Sequence, residues 1–197
     1  MTLTTINLAA LGRTVNLGTE VTGTLPVANG GTALTSGFVN GGSLTEVDTW
    51  RVTTNFNGDA APITANWERD DTDGNGYIGT GMSQSSGIFT FGSTGYFKVE
   101  FYHQFSGMVS GSNSNYVQQE IQYTANNSSY DDATEQWGQI FQNGSYSMTV
   151  SSKIFDITDT SNQKVRFSTT SAGNNVYTQC NSGKNMTYAT FVKLGAT

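Results

Sequence analysis

Charge is scarce in this chain. Asp, Glu, Lys and Arg make up 12% of its 197 residues, only 9 residues are basic, and the formal net charge is −6. No Lys/Arg cluster occurs, which excludes a nucleic-acid groove, because phosphate binding needs several convergent cations. A basic amphipathic membrane helix is excluded on the same ground, and no apolar stretch approaches the length that spans a bilayer, so no membrane insertion is expected. The single cysteine, Cys180, rules out an intrachain disulfide and a cysteine-rich zinc site. The single histidine, His103, has no base or nucleophile motif near it in sequence, which argues against a triad enzyme. The N-terminal MTLTTINLAALGRTVNLG has neither a basic region nor a long apolar core, so a secretory signal is not expected.

Twenty-three glycines, many Ser, Thr, Asn and Gln, and 12% aromatics make up for the missing charge. Disordered chains poor in apolar groups usually carry high charge. Here low charge accompanies enough aromatics to fill a core, which fits an all-β protein with neutral polar faces and many turns.

Residues 1 to about 46 differ from the rest. Met1–Ser43 carries only Arg13 and Glu20 as charges and only Phe38 as a large aromatic. Its short β-prone pieces, Arg13–Leu17 and Glu20–Leu25, are broken by Gly and Pro, and Asn29-Gly30-Gly31 and Asn40-Gly41-Gly42 are turn signals. Such a segment cannot bury its own Leu and Val residues. It is expected to be an extended arm, either flexible or ordered against a partner.

From Leu44 strand patterns follow one another: Thr49–Phe56, Ile63–Glu68, Tyr77–Met82, Gly87–Phe91, Tyr96–Met108, Asn115–Ala125, Gln136–Phe141, Ser145–Thr158, Gln163–Ser168, Asn175–Gln179 and Asn185–Leu194. The clearest is Gly87–Phe105, where Phe97, Val99, Phe101 and Phe105 share one face and Lys98, Glu100 and Gln104 the other. In Ser145–Thr158 the apolar set changes from even positions (Tyr146, Met148, Val150, Ile154) to odd ones (Phe155, Ile157), which predicts a bulge or a change of sheet partner near Lys153. Many short strands with turn signals about ten residues apart predict a sandwich or barrel.

Few residues suggest chemistry. His103 falls by parity on the phenylalanine face, as a strand histidine would. Asp71, Asp73, Asn75 and Gly76 match the start of a calcium loop, but Met82 occupies the position of the bidentate Glu and no helices flank it, so a solvated turn is the simpler reading. Gly183-Lys184-Asn185 lacks the rest of a phosphate loop, and Asn126, Asn127, Asn143 and Asn185 begin Asn-x-Ser/Thr triplets that a chain of this composition produces by chance. Asp131/Asp132 sit in a polar run with no apolar wall, and Cys180 has no basic neighbour closer than Lys184. No catalytic, cofactor or metal residue is assigned, and an enzyme is not expected. Tyr96 and Tyr102 fall opposite the core phenylalanines on a face low in charge, and are expected to meet a neighbouring subunit rather than a sugar.

Two segments carry a resemblance. Gly87–Phe105 (GIFTFGSTGYFKVEFYHQF) resembles the first hairpin of C1q/TNF-like jelly rolls, and Met186–Leu194 (MTYATFVKL) resembles their closing strand. With Trp50–Phe56, Asn66-Trp67-Glu68 and Phe155–Ser161 they look like C1q-like virion proteins of marine bacteriophages. Gly23–Ser36 (GTLPVANGGTALTS) is similar to a segment common in phage fibre proteins, with Ala33 in place of its last glycine. The resemblance implies an extended N-terminal arm at 1–46 and a C1q/TNF-like jelly-roll head at 47–197. It implies a homotrimer, assembled in the host cytoplasm and carried on the virion. Residues 1–46 would bind other virion proteins of capsid or tail, and a host surface glycan or protein would be a further partner. The knob would serve as a tail fibre for host attachment or as a capsid decoration or head fibre. The alternative is a calcium-dependent lectin-like module using Asp71, Asp73 and Asn75.

Overall fold

The segment Gly87–Phe105, read from the sequence as a hairpin, does not pair with itself: Ile88–Thr90 joins one sheet and Gly95–Gly107 the other. The computed structural model describes residues 44–107, 116–141, 144–171 and 176–197. The expected arm, with its fibre-like segment Gly23–Ser36, lies outside the described residues, as do Met108, Asn115 and Asn175 at the ends of three expected strands. The elements in order are β1 (Val47–Val52), β2 (Phe56–Asn57), β3 (Trp67–Arg69), β4 (Ser83–Ser85), β5 (Ile88–Thr90), β6 (Gly95–Gly107), β7 (Tyr116–Thr124), β8 (Asp131–Gln139), β9 (Tyr146–Ile157), β10 (Lys164–Ser171), β11 (Val176–Thr178) and β12 (Tyr188–Gly195). Among the described residues there is no helix.

The strands form two antiparallel sheets. The larger has the order β2-β11-β6-β12-β1-β3, with β9 on the other edge of β6; the smaller has the order β4-β5-β10-β7-β8. This is an all-β jelly-roll sandwich, as expected. β6 is the axis of the larger sheet because it alternates from Gly95 to Phe105, with Phe97, Val99, Phe101, His103 and Phe105 all pointing inward and fully buried. The two sheets meet through aromatic rings. Phe101 of the larger sheet lies 4.8 Å from Phe167 of the smaller, and Phe89 of the smaller 5.3 Å from Phe191 of the larger. Each such pair contributes about 0.5–1.5 kcal/mol beyond the area it buries.

Three further sequence expectations are corrected. Ser145–Thr158 has no bulge at Lys153: β9 pairs β6 in unbroken register from Gly95↔Ile157 to Ser106↔Tyr146. Its apolar residues belong to two faces, the odd ones in the core and the even ones outside. Tyr77–Met82 is not a strand, since only Ile78 pairs, with Val47, before β4 begins at Ser83. The polar residues before the expected strand Gln136–Phe141 instead supply half of β8, which starts at Asp131; the strand lies at the sheet edge with only Gly138 buried, so it needs no apolar alternation.

A few of the scarce charges are used inside. Asp48, 1% exposed, accepts hydrogen bonds from the Trp50 indole at 2.9 Å, from Arg69 Nε at 3.2 Å and from the Met82 backbone N–H at 2.7 Å. Arg69 in turn lies over the rings of Trp50 and Tyr77. Arg51 pairs with Asp70 at 2.7 Å and with Glu68 at 3.3 Å. Together these ties fasten β1, β3 and the loop before β4 into one corner.

Candidate functional site

The period of two in β6 puts Tyr96, Lys98, Glu100, Tyr102 and Gln104 on the outward face of the larger sheet. The register extends that face across neighbouring strands. Arg51, Tyr188, Tyr102 and Val150 form one rung, Thr49, Thr190, Glu100 and Ser152 the next, and Val47, Val192, Lys98 and Ile154 a third. On β9 the outward side chains are Tyr146, Met148, Val150 and Ile154, exposed by 68%, 55%, 38% and 56%. Leu194 at the end of β12 is also exposed. Scattered exposed apolar residues are ordinary, but a contiguous set on one face marks an interaction surface.

The centre of this face is ordered without a partner. The rings of Tyr102 and Tyr188 stack in parallel, 4.4 Å apart and 3° from coplanar orientation. Burial raises both phenol pKa values, and the Glu100 carboxylate adds to the rise. Lys98 and Glu100 pair at 2.8 Å, and the Glu100 hydrogen bond and charge raise the Lys98 pKa. Lys98 and Glu100 therefore neutralise each other, so covering them would leave no unpaired ion at this pair.

Tyr96 and Tyr102 lie where the sequence places them, opposite the core phenylalanines. The even residues of β9 were missed as a group, because their apolar pattern was assigned to a bulge; two apolar faces on one strand was the signal. His103 is in the core, fully buried between Phe101 and Phe105. Burial holds its pKa down to about 3. Cys180 is buried and its thiol pKa is pushed up to about 12 by burial, which removes the thiolate needed for reactivity.

The Asp71/Asp73/Asn75 loop does not converge on a cation position. Asn75 donates its side-chain N–H to Asp70 at 2.9 Å, and Asp70 also receives Arg51 and the Asn185 amide. Asp71 and Asp73 are exposed, while Met82 is 1% exposed in the core. Among the described residues no group of three or more His, Cys, Asp or Glu side chains could hold a metal. Gly183, Lys184, Asn185, Asn126 and Asn127 lie on exposed turns, Asp131 and Asp132 begin β8 in water, and Asn143 lies outside the described residues.

No family model matches this sequence, and no curated protein matches it. Solved structures do resemble the fold. The Eiger TNF of S. frugiperda superposes with a TM-score of 0.58 at 9% identity, over 79% of this chain and 96% of its own. Murine APRIL at pH 5.0 superposes with a TM-score of 0.56 at 12% identity, over 76% and 98%, and APRIL at pH 8.5 with 0.54 at 13%, over the same shares. At these identities the likeness is one of fold: the head is a TNF-like jelly roll.

Proposed function

We propose that this chain is a non-enzymatic structural protein of a bacteriophage virion, forming a homotrimeric knob on the particle surface and anchored through residues 1–46. The observation that supports trimerisation is the outward face of the larger sheet, where Tyr146, Met148, Val150 and Ile154 stand in water beside the stacked Tyr102/Tyr188 pair. A symmetric assembly covers the same patch on every copy, so one apolar face satisfies all subunits at once. The virion role is supported by the order of segments in the chain: the fibre-like GTLPVANGGTALTS first, the jelly-roll head after it.

In this reading the arm binds capsid or tail proteins and the head projects outward, as a tail fibre that contacts the host or as a decoration or head fibre on the capsid. A gold-labelled antibody to the head, applied to particles of the phage that encodes the chain and viewed by electron microscopy, tests it. Label on tail tips or on capsid faces is expected, and its position decides between the two. Intact particles that bind no label, with the protein absent from their denatured composition, would overturn the virion role.

A further inference from the structure

The interior of the sandwich is interrupted by a polar layer. At one level the strands turn a polar side chain inward: His103 on β6, Gln119 on β7, Thr149 and Ser151 on β9, Thr169 on β10 and Thr178 on β11, all buried. On one side of this layer lies the main core with Phe101, Ile121 and Phe167; on the other lies a separate cluster of Phe105, Val117 and Val176. β8 closes the layer at Gly138, where a Cβ would overlap the Phe105 ring and come within 2.7 Å of Thr149 Cγ2.

The protein's own groups satisfy only part of this layer. His103 Nε2 lies 3.0 Å from Thr178 Oγ1, and Gln119 Nε2 donates to the Phe101 carbonyl and to Ser151 Oγ, both at 3.2 Å. His103 Nδ1, Gln119 Oε1 and Thr149 Oγ1 are buried and have no hydrogen-bond partner among the described residues. The three are neighbours. His103 and Thr149 face each other across one rung of β6 and β9, which sets their Cβ atoms about 5 Å apart. Gln119 reaches from the opposite sheet to Phe101 and Ser151, which form another rung of the same strand pair.

Buried polar atoms left unpaired are costly, and native interiors pair them with protein or with ordered water. A neutral imidazole offers one donor and one acceptor nitrogen, a threonine hydroxyl both roles, and the glutamine oxygen only an acceptor. Water donates two hydrogen bonds and accepts two, so it meets all three atoms in either histidine tautomer. Three polar partners is the usual coordination of a buried water.

We infer that this layer is a buried water-binding site, with at least one ordered water held between the sheets by His103 Nδ1, Gln119 Oε1 and Thr149 Oγ1. The site is uncharged. The imidazole is flanked by the Phe101 and Phe105 rings at 6.1 and 5.2 Å, and the side chains facing it from β7, β9 and β11 are Gln119, Thr149, Ser151 and Thr178, none of which carries charge. The water divides the large aromatic core from the small one.

A crystal structure of the full chain at roughly 1.5 Å resolution tests the site, since ordered buried waters are visible there. A water peak within hydrogen-bond distance of the three atoms is expected. A dry layer, in which a turned Gln119 amide or a shifted Thr149 rotamer pairs the three atoms with protein, overturns the proposal. Oxygen-17 relaxation dispersion gives an independent reading in solution. The unmodified protein should show a long-lived water signal that Thr149→Val reduces while the circular dichroism spectrum is kept. An unchanged signal in a folded Thr149→Val variant contradicts the assignment.

Discussion

The two sheets share one core but have unlike outer faces. The smaller sheet turns Gln118, Glu120 and Gln122 outward from β7 and Arg166 from β10, joined by side-chain hydrogen bonds: Gln118 to Glu120 at 2.6 Å, Gln122 to Asp132 at 2.8 Å, Arg166 to Gln122 at 2.7 Å. Its exposed aromatics, Tyr116 and Trp137, form a single pair beside this network. The larger sheet turns out a row of apolar side chains on β9, a tyrosine stack and one self-neutralised ion pair. A face of amides and charges is stable in water, whereas a row of apolar side chains is stabilised by removal from it. A sandwich can thus assign solvent to one sheet and a partner to the other while the inward pattern of both stays the same.

The contrast can be broken most strongly by exchanging the character of the faces. Val150→Glu with Ile154→Glu is expected to abolish assembly, seen as loss of the oligomer peak in size exclusion. Gln122→Glu with Thr170→Glu, the same added charge on the smaller sheet, should leave the peak in place. Next in size is the buried corner that both sheets' edges depend on. Asp48→Ala leaves Arg69 without its carboxylate, and should cost about 3–5 kcal/mol in denaturant unfolding.

The shared interior should respond to acid. The folded-state pKa of His103 is depressed from 6.5 to about 3, so its contribution is fully present above pH 6.5 and is lost as pH falls toward 3. The loss is on the order of a few kcal/mol. His103→Gln should flatten the acid limb of thermal stability between those values; an unchanged limb would mean that carboxylates alone set it. The smallest effect belongs to the polar face. Burial and the Asp132 charge raise the Glu120 pKa. The ionised form is therefore disfavoured in the fold, and stability falls as pH rises through that pKa. Glu120→Gln should raise the melting temperature at pH 7 slightly.

The inward phenylalanines and the sandwich class were legible because the sequences of β6 and β7 alternate along one apolar face, whereas the expected hairpin was not formed because its short strand pairs β4 and β10 in the other sheet. β9 was misread because it has two apolar faces, and a single-chain core cannot explain two. β8 was half missed because an edge strand in water carries no alternation. The Asp48–Arg69 and Arg51–Asp70 pairs were invisible for another reason: their partners are 21 and 19 positions apart, and only the β1–β3 register brings them together. The same holds for the polar layer, where each strand contributes only one or two inward polar residues that look unremarkable by themselves.

If copies of the same chain cover the outward face of the larger sheet, static light scattering of the intact protein at micromolar concentration should give a particle of three times the 21.1 kDa chain mass; a particle of 21.1 kDa would mean that the face stays uncovered.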